Sequence, residues 1–106
     1  MSGRWRRFEV LLPLKFNDGR DVPGSWLTEA VREVVEHFGP ASYETQKLEG
    51  QWRRGGVLYR DDLVRFFVDV PDTEASRAWM HEFKQCWKVK LEQHELWMVS
   101  YSIDVE

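Results

Sequence analysis

The feature that most narrows the fold is an eight-residue run that follows a double glycine. From Leu63 to Val70 the chain puts Val64, Phe66, Val68 and Val70 on one side of an extended backbone and Leu63, Arg65, Phe67 and Asp69 on the other. That is the two-residue period of a strand, and apolar weight on both sides suits a strand with neighbours at each edge. Gly55-Gly56 can turn this strand back on the polar stretch from Ser42 to Trp52, so Ser42 to Val70 reads as a β-hairpin. Polar alternation in the first arm suits a sheet edge, and Gly50 within it predicts a bulge or bend.

The flanks repeat one another. Phe8, Val10, Leu12 and Leu14 alternate with Arg7, Glu9 and Leu11, giving a first strand over about Arg6 to Leu14. A turn-rich loop from Asn17 to Gly24 leads to Ser25, a candidate N-cap. Leu27, Ala30, Val31, Val34, Val35 and Phe38 then recur at helical spacing, and Gly39-Pro40 supplies the stop. After the hairpin, Asp72 or Thr73 is positioned to cap a second helix. Its inward stripe reads Ala75, Ala78, Trp79, Phe83, Cys86, Trp87 and Leu91, and it ends near Glu92. A fourth strand, Glu95 to Val105, carries Trp97, Val99, Tyr101, Ile103 and Val105 on its heavier side and Leu96, Met98, Ser100 and Ser102 on its lighter one.

The order strand, helix, hairpin, helix, strand predicts an α+β ferredoxin-like βαββαβ sandwich. Its four-stranded antiparallel sheet has spatial order 4-1-3-2, with two helices on one face. A length of 106 residues suits one domain over 1–106 with one core. The longest apolar runs are far short of the roughly 20 residues that span a bilayer. The basic start Met1 to Arg7 leads into a strand without the apolar block of a secretory leader. Cys86 is the single cysteine, which suits a reducing compartment, so a cytoplasmic protein is expected.

A net charge of −3 disfavours a general nucleic-acid binder. The RNA-recognition variant of this fold stacks bases on aromatic residues of the central strands, and here only Phe67 is so placed. Six Trp in 106 residues exceed what a small core readily hides, so some should meet a partner, a ligand or a second subunit.

With the even-numbered residues of the first and third strands toward the helices, the other face holds Arg7, Glu9, Leu11, Leu63, Arg65, Phe67 and Asp69. The heavier side of the fourth strand is expected inward, which leaves an outer apolar spine of Leu11, Leu63, Phe67 and Met98. The sheet measures roughly 400 Å² in plan, about half the ~800 Å² per partner of a standard interface. A homodimer joined through the sheet is therefore expected, with these four residues as interface candidates.

The hairpin around Trp52, Arg53 and Arg60 combines guanidinium forks with aromatic rings, a pairing that suits a small anionic or aromatic ligand. Metal and catalytic signals are thin. His81-Glu82-Phe83-Lys84-Gln85 has Gln where a helical zinc motif needs its second His, and the remaining His and Cys86 show no ligand spacing. No metal or cofactor is expected and no catalytic residue is assigned. A cofactor-independent small-molecule enzyme of the dimeric α+β barrel type is the competing class, motivated by the Trp content and by His81, His94 and Tyr101.

Gly50-Gln51-Trp52-Arg53, a second apolar strand, a helix ending in Phe83-Lys84, and Gln93-His94-Glu95 together resemble an uncharacterised family of small bacterial ferredoxin-like domains over about residues 8 to 100. The resemblance implies the fold and no activity. It marks Gln51, Trp52, Arg53, Gln93 and Glu95, which join Arg60 of the hairpin as ligand-binding candidates.

Overall fold

The computed structural model describes residues 3–39, 45–54 and 57–106, with side chains over 3–39 and 63–106. Its elements run β1 (Trp5–Pro13), α1 (Gly24–Phe38), β2 (Thr45–Arg54), β3 (Val57–Pro71), α2 (Glu74–Lys90) and β4 (Met98–Ile103). β1 is the hub, antiparallel to β3 on one side and to β4 on the other. The backbone of β2 continues the ladder on the far side of β3, giving the order β2-β3-β1-β4. Ser42 to Glu44 and the double glycine lie outside the described residues.

Parity decides the core. Phe8 pairs with Val68, Val10 with Phe66 and Leu12 with Val64, and all six are buried. They join Ala30 and Val34 of α1 and Met80, Phe83 and Trp87 of α2 in one cluster, so both helices pack on the same face. An aromatic chain runs through this layer: Phe16 meets Trp26 edge-on, Trp26 meets Trp87, Trp87 meets Phe83, and Phe83 stacks on Trp79. Polar atoms close the seam between the helices. Trp87 Nε1 donates to Glu33 at 2.8 Å, and Lys90 reaches Glu29 while lying over the Trp26 and Trp87 rings. Glu29 and Glu33, both exposed, thereby bridge α1 to α2.

Four local expectations change. Ser25 lies inside the first turn of α1, Pro23 takes the cap position, and no side chain caps the helix. Thr73 does cap α2, accepting from the Ser76 N–H at 3.1 Å. That bond, with the Thr73 hydroxyl donating to Ser76 Oγ, lets Ser76 be buried and turns the α2 stripe to Ser76, Met80, Phe83 and Trp87. Ala75, Ala78 and Cys86 consequently face outward. The β2–β3 register runs one-to-one through Gly50, opposite Asp61, without a bulge.

The fourth correction is the face of β4. Met98 lies opposite Val10 and Ser100 opposite Phe8, so the lighter side looks toward the helices. Leu96 is buried and Met98 packs on the core, whereas Trp97 and Tyr101 are 61% and 42% exposed. The connection from α2 sets this parity. Leu91 and Leu96 anchor both its ends in the core, Glu92 takes a left-handed φ of 55°, and the Gln93 N–H returns to the Lys88 carbonyl, a helix-closing turn. Met98 is therefore removed from the outer spine.

The turned α2 stripe yields a direct contrast. Met80→Ala should cost about 2–5 kcal/mol and Cys86→Ser within about 0.5 kcal/mol of zero, both read from urea unfolding at neutral pH.

Candidate functional site

The sheet face opposite the helices is the best-defined polar surface of the described residues. The β1–β3 register sets Arg7 against Asp69, Glu9 against Phe67 and Leu11 against Arg65, and the β1–β4 register sets Arg7 against Tyr101 and Glu9 against Val99. Opposite charges on adjacent strands then find one another. Arg7 forks onto Asp69, Nε to Oδ1 at 2.7 Å and an η nitrogen to Oδ2 at 3.0 Å. Arg65 donates to Glu9 Oε1, and the Tyr101 hydroxyl donates to the same oxygen at 2.9 Å. The guanidiniums of Arg7 and Arg65 lie 4.3 and 5.5 Å from the Phe67 ring centroid, within cation–π range.

These contacts cross all three strands and hold each long side chain in one place. Leu11, Leu63 and Phe67 sit on this face, each half-buried. The surface is therefore a charged lattice around one aromatic ring rather than an apolar spine. A bidentate guanidinium–carboxylate pair is stronger than an ordinary surface ion pair and fixed in direction.

Gln51, Trp52, Arg53 and Arg60 belong to the outer part of the β2–β3 ladder, where Gln51 pairs with Arg60; their side chains lie outside the described residues. Gln93 and Glu95 occupy the turn before β4 and are locally engaged. Gln93 donates to the Leu91 carbonyl, while Glu95 accepts from the Leu96 N–H and pairs with Lys84 at 2.9 Å. β2 and β4 stand at opposite ends of the strand order, and β1 lies between the strands that carry Gln51, Trp52, Arg53 and Arg60 and the strand that follows Gln93 and Glu95. His81 and His94 are exposed on α2 and in the following turn, while Tyr101 is on the free face; the three do not converge. Among the described residues no three of His, Cys, Asp and Glu gather as metal ligands, and no helix is long and apolar enough to cross a membrane.

Among the described residues, two cavities adjoin Trp side chains. A cleft of about 50 Å³ lies between Leu12, Trp26, Trp87 and Leu91. A groove of about 560 Å³ runs along Arg4, Trp5, Ile103 and Val105 where β1 begins and β4 ends. Neither is lined by His or Tyr. Sequence reasoning listed the charges of the free face without pairing them; the signal was there, two Arg and two acids alternating on adjacent strands. Tyr101, expected on the helix side from the bulk of its face, is the member of this cluster that the sequence misplaced.

No family model and no curated protein matches the chain. Solved structures do resemble it. A phage SAM lyase in complex with S-methyl-5'-thioadenosine superposes with a TM-score of 0.65 at 13% identity, covering 100% of this chain and 94% of that one. CutA from Synechococcus elongatus gives 0.62 at 8% identity over 96% and 79%. The GlnK–ATP complex of B. subtilis gives 0.60 at 13% over 97% and 84%. These likenesses establish the α+β ferredoxin-like fold.

Glu9 supplies a pH test. Donation from Arg65 holds its carboxyl below the ordinary value, opposed by partial burial and aided by Tyr101. A carboxyl depressed in the folded state stabilises at pH above the unfolded value and loses that contribution as pH falls through the folded one. Glu9→Gln should lower stability at neutral pH and flatten the decline between about pH 5 and about pH 3, measured by urea unfolding at each pH.

Proposed function

We propose that the protein is a small binding module, one domain over residues 1–106, that self-associates through its sheet as a homodimer and takes a small anionic or aromatic ligand. The carrying observation is the free face itself. Two guanidiniums, two carboxylates, a phenol and the Phe67 ring are held in fixed relation there, and no described element covers them. Groups already ordered lose little entropy on binding, which suits a recognition surface. Leu11, Leu63 and Phe67 are its apolar contacts. The complete chain is read as the four-stranded sandwich with β2 and β4 as edges, and membership of the uncharacterised family marked by Gln51, Trp52, Arg53, Gln93 and Glu95 is proposed alongside it. The free, exposed thiol of Cys86 fits a reducing, cytoplasmic setting.

The ligand class follows from the site chemistry and from the neighbours. Two of the similar folds are described with adenosine compounds, ATP and S-methyl-5'-thioadenosine. A planar aromatic base, with or without an anionic tail, matches a face of aromatic rings and guanidiniums. The competing reading, a cofactor-independent enzyme, lacks a convergent acid, base and nucleophile among the described residues.

Light scattering from about 1 to about 100 μM should show the mass rise from 12.7 kDa toward twice that value. A mass of 12.7 kDa throughout overturns self-association. Titration with ATP and with S-methyl-5'-thioadenosine should give saturable heat that Phe67→Ala weakens by about tenfold, the loss of one stacking contact. Absence of heat with both removes the ligand assignment.

A further inference from the structure

The two edges of the sheet are built differently. β2 carries Lys47, Glu49, Arg53 and Arg54 among its ten residues, the charged edge by which proteins discourage further pairing. From Trp97 to Ile103 the β4 edge reads Trp-Met-Val-Ser-Tyr-Ser-Ile, with no charge and no proline. β4 has β1 as its one neighbour in the strand order. Three of the four exposed large hydrophobic residues of the described chain, Trp97, Tyr101 and Val105, lie on or beside it.

The register identifies which backbone groups this edge offers. The Leu11 N–H donates to the Trp97 carbonyl at 3.0 Å, and the β1–β4 register continues from there as Val10 with Met98 and Glu9 with Val99. In an antiparallel ladder, hydrogen-bonded and non-bonded pairs alternate. Trp97, Val99, Tyr101 and Ile103 therefore spend their backbone groups on β1. Met98, Ser100 and Ser102 turn theirs to the open side.

We propose that β4 pairs antiparallel with β4 of a second copy about a two-fold axis at Ser100. The proposal rests on the self-association reading above and moves its contact from the flat face to the β4 rim. With Ser100 opposite the partner subunit's Ser100, Met98 falls opposite the partner subunit's Ser102, and all three outward-facing residues are in bonding register. The same register brings Tyr101 against the partner subunit's Val99 and Trp97 against the partner subunit's Ile103. These are aromatic and β-branched cross-strand pairs, which favour sheet association. The arrangement is self-complementary, as a two-fold contact between identical surfaces requires. It covers the exposed rings, places no charge of the segment against a like charge, and sets the two free faces side by side on one continuous sheet. A six-residue edge is about 20 Å long and smaller than a standard interface, so the association is concentration-dependent.

The test uses the full chain and Ser100→Pro. Proline removes the central outward N–H yet leaves the β1 ladder intact, because the Ser100 backbone does not bond β1, and prolines are tolerated at such edge positions. Ser100→Ala is the control, losing only the hydroxyl that accepts from Arg6. Ser100→Pro should raise the dimer dissociation constant by about tenfold or more, while Ser100→Ala leaves it unchanged. In the unaltered chain, exchange of the Met98, Ser100 and Ser102 amides should slow as concentration rises. That measurement decides the matter should Ser100→Pro fail to fold. A dimer whose Ser100 and Ser102 amides exchange freely, or a folded Ser100→Pro that dimerises like the unaltered chain, overturns the edge contact while self-association stands. A monomer at every concentration overturns both.

Discussion

The one-to-one pairing of β1 with β3 fixes everything else. Nine residues of β1 face nine of β3, and because side chains alternate, this single alignment decides which become core and which become surface. Phe8, Val10 and Leu12 with Val68, Phe66 and Val64 enter the helix layer, while Arg7, Glu9, Arg65 and Asp69 come out together on the other side. A slip of one residue by β1 would drive Arg7 and Glu9 under the helices and strand Phe8, Val10 and Leu12 in water, an exchange costing far more than the stability of a domain this size.

The helix layer responds to that alignment by filling it with rings. Trp26, Trp87, Phe83 and Trp79 meet in sequence along the seam, and the polar end of Trp87 is satisfied by Glu33, as a buried indole N–H requires. His37 stacks on Trp79 with centroids 4.4 Å apart. Much of the tryptophan content is thus structural. Among the tryptophans with described side chains, Trp97, 61% exposed, is the conspicuous exception.

That exception connects fold to function. The ordered charges of the free face and the uncharged β4 edge are adjacent, joined through Tyr101, which donates to Glu9 from the edge strand. In the reading proposed above, the flat part takes the ligand and the rim takes the second copy, with Tyr101 belonging to both.

The sequence by itself determined the elements and their order, the inward stripe of α1, a cap for α2 at Asp72 or Thr73, and the membership of the free face for β1 and β3, because period and turn chemistry are local and these strands have one unambiguously aliphatic side. Its expectation of an α+β ferredoxin-like fold agrees with the observed architecture. Tertiary structure decided what locality leaves balanced. The α2 stripe turned onto Ser76 and Met80 because the Thr73 cap satisfies a buried hydroxyl, which no apolar count registers. β4 presented its heavier side outward because Leu91 and Leu96 anchor the preceding turn, and the parity of a strand follows from where its connection is pinned, not from the summed bulk of either face.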